Sequence, residues 1–80
     1  MVTKKDLFEP ISEKIVAAVR EEYRPGQRVE LVRNDDFIAP VPGTKGTVSF
    51  VDRNGTVFVE WDNGTRLGCL YGEDEIRLAD

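Results

Sequence analysis

Histidine is absent from this 80-residue chain, and cysteine occurs once, at Cys69. The first absence removes the usual general base, the usual nitrogen ligand for zinc, and any Ser–His or Cys–His nucleophile pair. The second excludes an intramolecular disulfide. No run approaches the roughly 20 consecutive apolar residues that a membrane-spanning helix needs. The opening Met1-Val2-Thr3-Lys4-Lys5-Asp6 begins no apolar stretch of signal-peptide length. A cytoplasmic protein in a reducing compartment, with no membrane contact, is the expectation.

A basic excess is also missing. Residues 1–25 hold five basic and five acidic groups; the remainder holds six basic and ten acidic, and so carries the whole net charge of −4. Nucleic-acid binding normally leaves a basic footprint, so direct contact with DNA or RNA is not expected. A domain of this size buries only about 60% of the surface its unfolded chain exposes. That leaves little room for a walled active site. Together with the missing histidine, it predicts a protein that is not an enzyme and carries no cofactor.

What is present is a change of period. Phe8, Ile11, Ile15, Val19 and Tyr23 recur at steps of three and four, widened by Val16, which predicts an amphipathic helix over 7–23. Asp6 with Glu9 has capping-box spacing, and Pro10 suits a first turn. Pro25-Gly26 ends the helix. Its apolar stripe either packs on the rest of the chain or docks on another chain, as in a homodimer.

Beyond Gly26 the period becomes two. Arg28 to Val32 forms a first strand, and the Pro-containing stretch 34–42 a long loop. Gly43-Thr44-Lys45-Gly46 is predicted as a turn, followed by strands over Thr47 to Val51, Thr56 to Trp61, Thr65 to Leu70 and Ile76 to Leu78. The fold class is α+β, mostly β: an N-terminal helix (1–25) and a five-stranded, SH3-like β-barrel (26–80) in one domain, since closure would remove exposed edges. A two-residue Asn54-Gly55 turn sets Phe50 against Val59 and Val48 against Trp61. These residues, with Val57, Val29, Leu31, Leu67 and Ile76, are the predicted core. The same register puts Val51 and Phe58 together on the outer face, where the helix stripe is the expected cover.

The runs Arg28 to Val32, Asp35-Asp36, Pro42 to Val48, Val51 to Gly55 and Val59 to Thr65 resemble a family of short bacterial and phage domains. That family is common on mobile elements and has no known function. The Gly46-Thr47-Val48 and Val59-Glu60-Trp61-Asp62-Asn63-Gly64 pieces are also similar to the Mind-bomb/HERC-type domain, a small SH3-like barrel that binds peptides. That family's glycine-rich loop and its tryptophan after the first strand are missing here. A Gly-x-x-Gly-x-Val likeness to the KOW motif is short. These resemblances imply an SH3-like fold and a phage or mobile-element origin, and they supply no catalytic residues.

Asp35-Asp36 with Glu73-Asp74-Glu75 lack calcium-loop spacing, so no metal site is expected. Cys69, between Gly68 and Leu70, reads as packing and not as a nucleophile. Phe37-Ile38, in a Pro-flanked loop, either closes the end of the barrel or joins Tyr71 as a contact for a peptide. The expected binding residues are Asp35, Asp36, Phe37, Phe58 and Tyr71, and the expected function is recognition of a protein partner. The alternative is an acidic inhibitor of a host defence enzyme that acts on nucleic acid, competing for its basic groove.

Overall fold

The computed structural model describes residues 12–35 and 38–79. Ser12 has an extended backbone (φ −58°, ψ 138°), and its hydroxyl accepts from the Lys14 amide, so it caps a helix, α1, that spans Glu13–Glu22. The single helix expected over 7–23 therefore does not run unbroken, and its part before Ser12, including Phe8 and Ile11, lies outside the described residues. Val16 and Val19 of α1 are buried. The chain leaves the helix through a turn closed by the Gln27 amide on the Arg24 carbonyl. Pro25 occupies its second position and Gly26 (φ 90°) its third, the left-handed site that glycine enters without strain.

Five strands follow: β1 (Arg28–Arg33), β2 (Lys45–Val51), β3 (Val57–Trp61), β4 (Arg66–Cys69) and β5 (Glu75–Leu78). They form one antiparallel sheet in the order β4-β3-β2-β1-β5. This is the mostly-β architecture expected, but the sheet is not closed: β4 and β5 are its two edges. The turn before β2 is Val41–Thr44, closed by the Thr44 amide and hydroxyl on the Val41 carbonyl. The turn expected at 43–46 is thus displaced, because Pro42 rather than Thr44 takes the position that needs a fixed φ.

The β2–β3 register differs from the one expected. Asp52 and Thr56 face each other across a three-residue loop, with Gly55 at φ 79°, and Asn54 has no positive φ. The Asp52 carboxylate accepts from the amides of Asn54 and Thr56, which holds a type I turn followed by a left-handed glycine in place of the two-residue turn. Two residue pairs further on, β2 bulges at Ser49. Val48 consequently faces Val59, Trp61 faces Gly46, and Phe50 faces Phe58.

Two assignments from the sequence reverse as a result. Phe50, expected in the core, stands on the outer face at 51% exposed. Val51, expected outside, packs against the core. The helix covers Val51 and not Phe58: Val19 joins the same buried cluster as Val57 and Val59, and Arg20 donates to the Val51 carbonyl. The described part of the stripe, Ile15, Val19 and Tyr23, therefore packs in cis.

The core holds Val19, Val29, Leu31, Val48, Val57, Val59, Trp61 and Cys69, flanked by Ile15, Tyr23, Val51, Leu67 and Ile76. Trp61 is 3% exposed, and its indole Nε1 has no hydrogen-bond acceptor among the described residues. The indole lies over Gly46. A Cβ there would come within 2.6 Å of Val59 Cγ1 and 2.8 Å of the Glu60 carbonyl oxygen. Because one of those neighbours is backbone, the strain has no cheap relief. Gly46→Ala is expected to destabilise the fold by about 1–3 kcal/mol, the usual range for overpacking, as read by urea unfolding. A change below about 0.5 kcal/mol would contradict the packing described here.

On the outer face, Arg28 makes a two-pronged ion pair with Asp62 (2.6 and 2.9 Å) and also donates to Thr47 Oγ1. It thereby ties β1 to β2 and to the loop after β3. The guanidinium hydrogen bonds hold the Asp62 carboxyl below its ordinary value of 3.8. A carboxyl depressed on folding contributes stability that is complete above its unfolded pKa and is lost as pH falls through the folded one. Asp62→Asn should therefore flatten the loss of stability with acid below about pH 4 and leave the slope between pH 5 and 7 unchanged. Thermal melts of both chains across pH 2–7 check this.

Candidate functional site

β4 is short because Asp62-Asn63-Gly64 precedes it and Tyr71-Gly72 follows. The first of these loops repeats the geometry of the previous hairpin: the Trp61 amide reaches the Thr65 carbonyl, and Gly64 sits at φ 93°. After Cys69 the chain turns sharply. The Asp74 carboxylate accepts from the Leu70 amide, and the amides of Glu73 and Asp74 return to the Leu70 carbonyl. This knot over 70–74 projects Leu70 and Tyr71 outward, at 46% and 57% exposed.

Two depressions flank the knot. One is an open cleft of about 450 Å³, where Arg33 at the end of β1 and the following Asn34 and Asp35 meet Leu67 and Gly68 of β4 and Leu70, Glu73 and Asp74 of the turn after it. The other, of about 200 Å³, is apolar. It is bounded by Val19 of α1 and Tyr23 just beyond it, by Val57 and Cys69, and by Tyr71 and Ile76. The described ionisable side chains on their walls, aside from Tyr23, Cys69 and Tyr71, are Arg33, Asp35, Glu73 and Asp74 in the cleft and Glu22, Asp74 and Glu75 in the notch. Arg33 meets Asp35 at 3.7 Å, and both are well exposed, so this pair is loosely held.

The residues expected to bind are only partly brought together. Asp35 lines the cleft, and Tyr71 stands on the far side of the knot, in the apolar notch. Asp36 and Phe37 lie outside the described residues. Phe58 is on the outer face, its ring stacked on Phe50 with centroids 4.7 Å apart and planes 15° from parallel. Its other neighbour is Gly68, which faces it across the β3–β4 ladder. A Cβ on Gly68 would meet the Phe58 ring at 3.0 Å and Thr56 Cγ2 at 2.7 Å. Gly68 belongs both to this aromatic patch and to the cleft wall, and sequence reasoning passed over it. The signal was a glycine inside a strand pattern, which marks a place where something else approaches the backbone.

Cys69 is 3% exposed at the base of the notch, and burial, assisted by the Asp74 charge, pushes its thiol up to about 12. Among the described residues no cluster of three or more acidic, histidine or cysteine side chains is placed to hold a metal ion. No described helix is long and apolar enough to cross a membrane.

A short helix packed on one face of an open five-stranded antiparallel sheet, with a cleft along one sheet edge, defines the class of domain. Residues 12–79 match the family described as a domain of unknown function (DUF4314), and the chain belongs to it. No curated protein matches the chain.

The thiol gives a direct check on the packing at the notch. In the native chain at pH 8, iodoacetamide should alkylate Cys69 at least about a hundredfold more slowly than in the urea-unfolded chain, since only thiolate reacts. Equal rates would show that the thiol is neither buried nor held protonated.

Proposed function

We propose that this chain is a small, non-enzymatic module that binds a protein partner at the surface where Asn34 and Asp35, after β1, meet the turn 70–74. The observation that supports this reading is the open cleft of about 450 Å³ at that junction, beside the exposed Leu70 and Tyr71. Its walls offer carboxylates, a guanidinium and apolar surface, which suit recognition by shape and charge. The resemblance of Gly46-Thr47-Val48 and of Val59 to Gly64 to a peptide-binding, SH3-like domain supports the same reading, and that of the longer runs from Arg28 to Thr65 to a family common on mobile elements supports a phage or mobile-element origin. The unpaired Cys69 accords with a cytoplasmic setting.

The carboxylates around the two depressions favour a second reading, an acidic inhibitor that occupies the basic groove of a host enzyme acting on nucleic acid. Salt separates the two, because a contact built on exposed charges weakens sharply as screening increases. The experiment is affinity capture from a bacterial lysate at low and high salt, with the wild-type chain, Tyr71→Ala and Glu73→Lys side by side. The binding module predicts a partner retained at high salt and weakened at least about tenfold by Tyr71→Ala, as for an aromatic contact at a hot spot. A nucleic-acid enzyme captured only at low salt, and lost with Glu73→Lys, would favour the inhibitor. Capture unchanged by either substitution would remove this surface from the function.

A further inference from the structure

The two edges of the sheet are not equivalent. In the β3–β4 hairpin the Trp61 amide bonds the Thr65 carbonyl, so in the antiparallel ladder Leu67 and Cys69 point their backbone groups at β3. Arg66 and Gly68 then point theirs away from the sheet. No described residue outside β3 hydrogen-bonds the backbone of either. At the other edge, the Ala79 amide reaches the Arg28 carbonyl, which by the same alternation turns the Ile76 carbonyl outward. There the hydroxyl of Tyr23, the residue that caps the C-terminus of α1, donates to it, at 3.4 Å. Among the described residues, Tyr23 thus covers the β5 edge at Ile76, and no such contact is made on β4.

An open edge is a template for pairing, and proteins usually blunt it with charge, proline or cover. Among the described residues, β4 has none of these at Gly68. Beside it lies the cleft, on whose walls Asp35, Glu73 and Asp74 outnumber Arg33. On the outer face, Gly68 has no side chain of its own, and the Phe58 ring lies against the position a Cβ would take. A large side chain on a neighbouring strand can cover such a glycine.

We infer that β4 takes up an extended segment of the partner as an additional strand, with a large apolar residue opposite Gly68 and a lysine or arginine facing Asp35 and Glu73. Main-chain bonds to Arg66 and Gly68 supply the affinity. The aromatic edge of Phe58 and the acidic cleft supply the choice of side chains. The inference rests on the protein-binding reading and names its partner's chemistry.

The test uses the full chain and four labelled octapeptides of alternating Val and Thr. One has a central Phe flanked by Lys, and the second replaces Lys by Glu. The third replaces Phe by Ala, and the fourth carries Pro at the residue before Phe. Anisotropy should show the Lys/Phe peptide binding at least about tenfold more tightly than each of the others, a difference of roughly 1.4 kcal/mol. Hydrogen exchange followed by NMR should show the Arg66 and Gly68 amides becoming protected when it binds. Arg66→Pro removes one edge donor without touching the β3 ladder and should abolish that preference. If it unfolds the chain, Asp35→Lys with Glu73→Lys replaces it and should reverse the preference between Lys and Glu. Equal binding of all four peptides, or both amides unprotected at saturation, overturns the inference. A lysate partner captured equally by wild type and folded Arg66→Pro would do the same while leaving the binding reading intact.

Discussion

The Asp52 carboxylate gathers the amides of Asn54 and Thr56, and this knot governs the sheet on either side of it. It makes the loop three residues long, with a left-handed glycine as its last member. The β2–β3 register is thereby moved by one from the two-residue alternative, and a one-residue slip in a strand exchanges its two faces. Val51 turns inward to meet the helix, and Phe50 turns outward to stack on Phe58. The bulge at Ser49 then shifts the pairing again, so that Val48 still faces the core opposite Val59. Without the bulge, one half of β2 would have to bury the wrong residues.

The same register explains where small residues are obligatory. Gly46 lies opposite Trp61 and Gly68 opposite Phe58, and in both pairs an aromatic ring uses the space beside the glycine. The first pair closes the core. The second leaves an aromatic ring beside a strand edge that no described residue covers. The cleft, the apolar notch and the open β4 edge meet around the 70–74 turn, whose own backbone is satisfied by Asp74 and by the Leu70 carbonyl. The surface proposed for binding is therefore held by a locally determined turn.

Much of this was legible in the chain itself. Periodicity located the helix stripe at Val16 and Val19, all five strands, and a core built on Val29, Leu31, Val48, Val57, Val59 and Trp61. Pro25-Gly26 marked the helix end through φ preferences that act on single residues. Ser12 as the helix cap was missed, although serine before an acidic first turn is the ordinary form of that signal. Of the residues expected to bind, Asp35 and Tyr71 line the two depressions, and Gly68, which lines the cleft, was not among those expected.

Local chemistry thus sufficed for the identity and order of the elements, because helix stripes, strand alternation and turn glycines act over a few residues. Pairing decided the rest. Asn-Gly fits two hairpin loops of different length, and only the Asp52 side chain bonds and the bulge, seen against a neighbouring strand, choose between them. Whether Phe50 is buried depends on that choice. So does the exposure of one sheet edge and the covering of the other, since a strand's free backbone groups are defined by the partner it has and the partner it lacks.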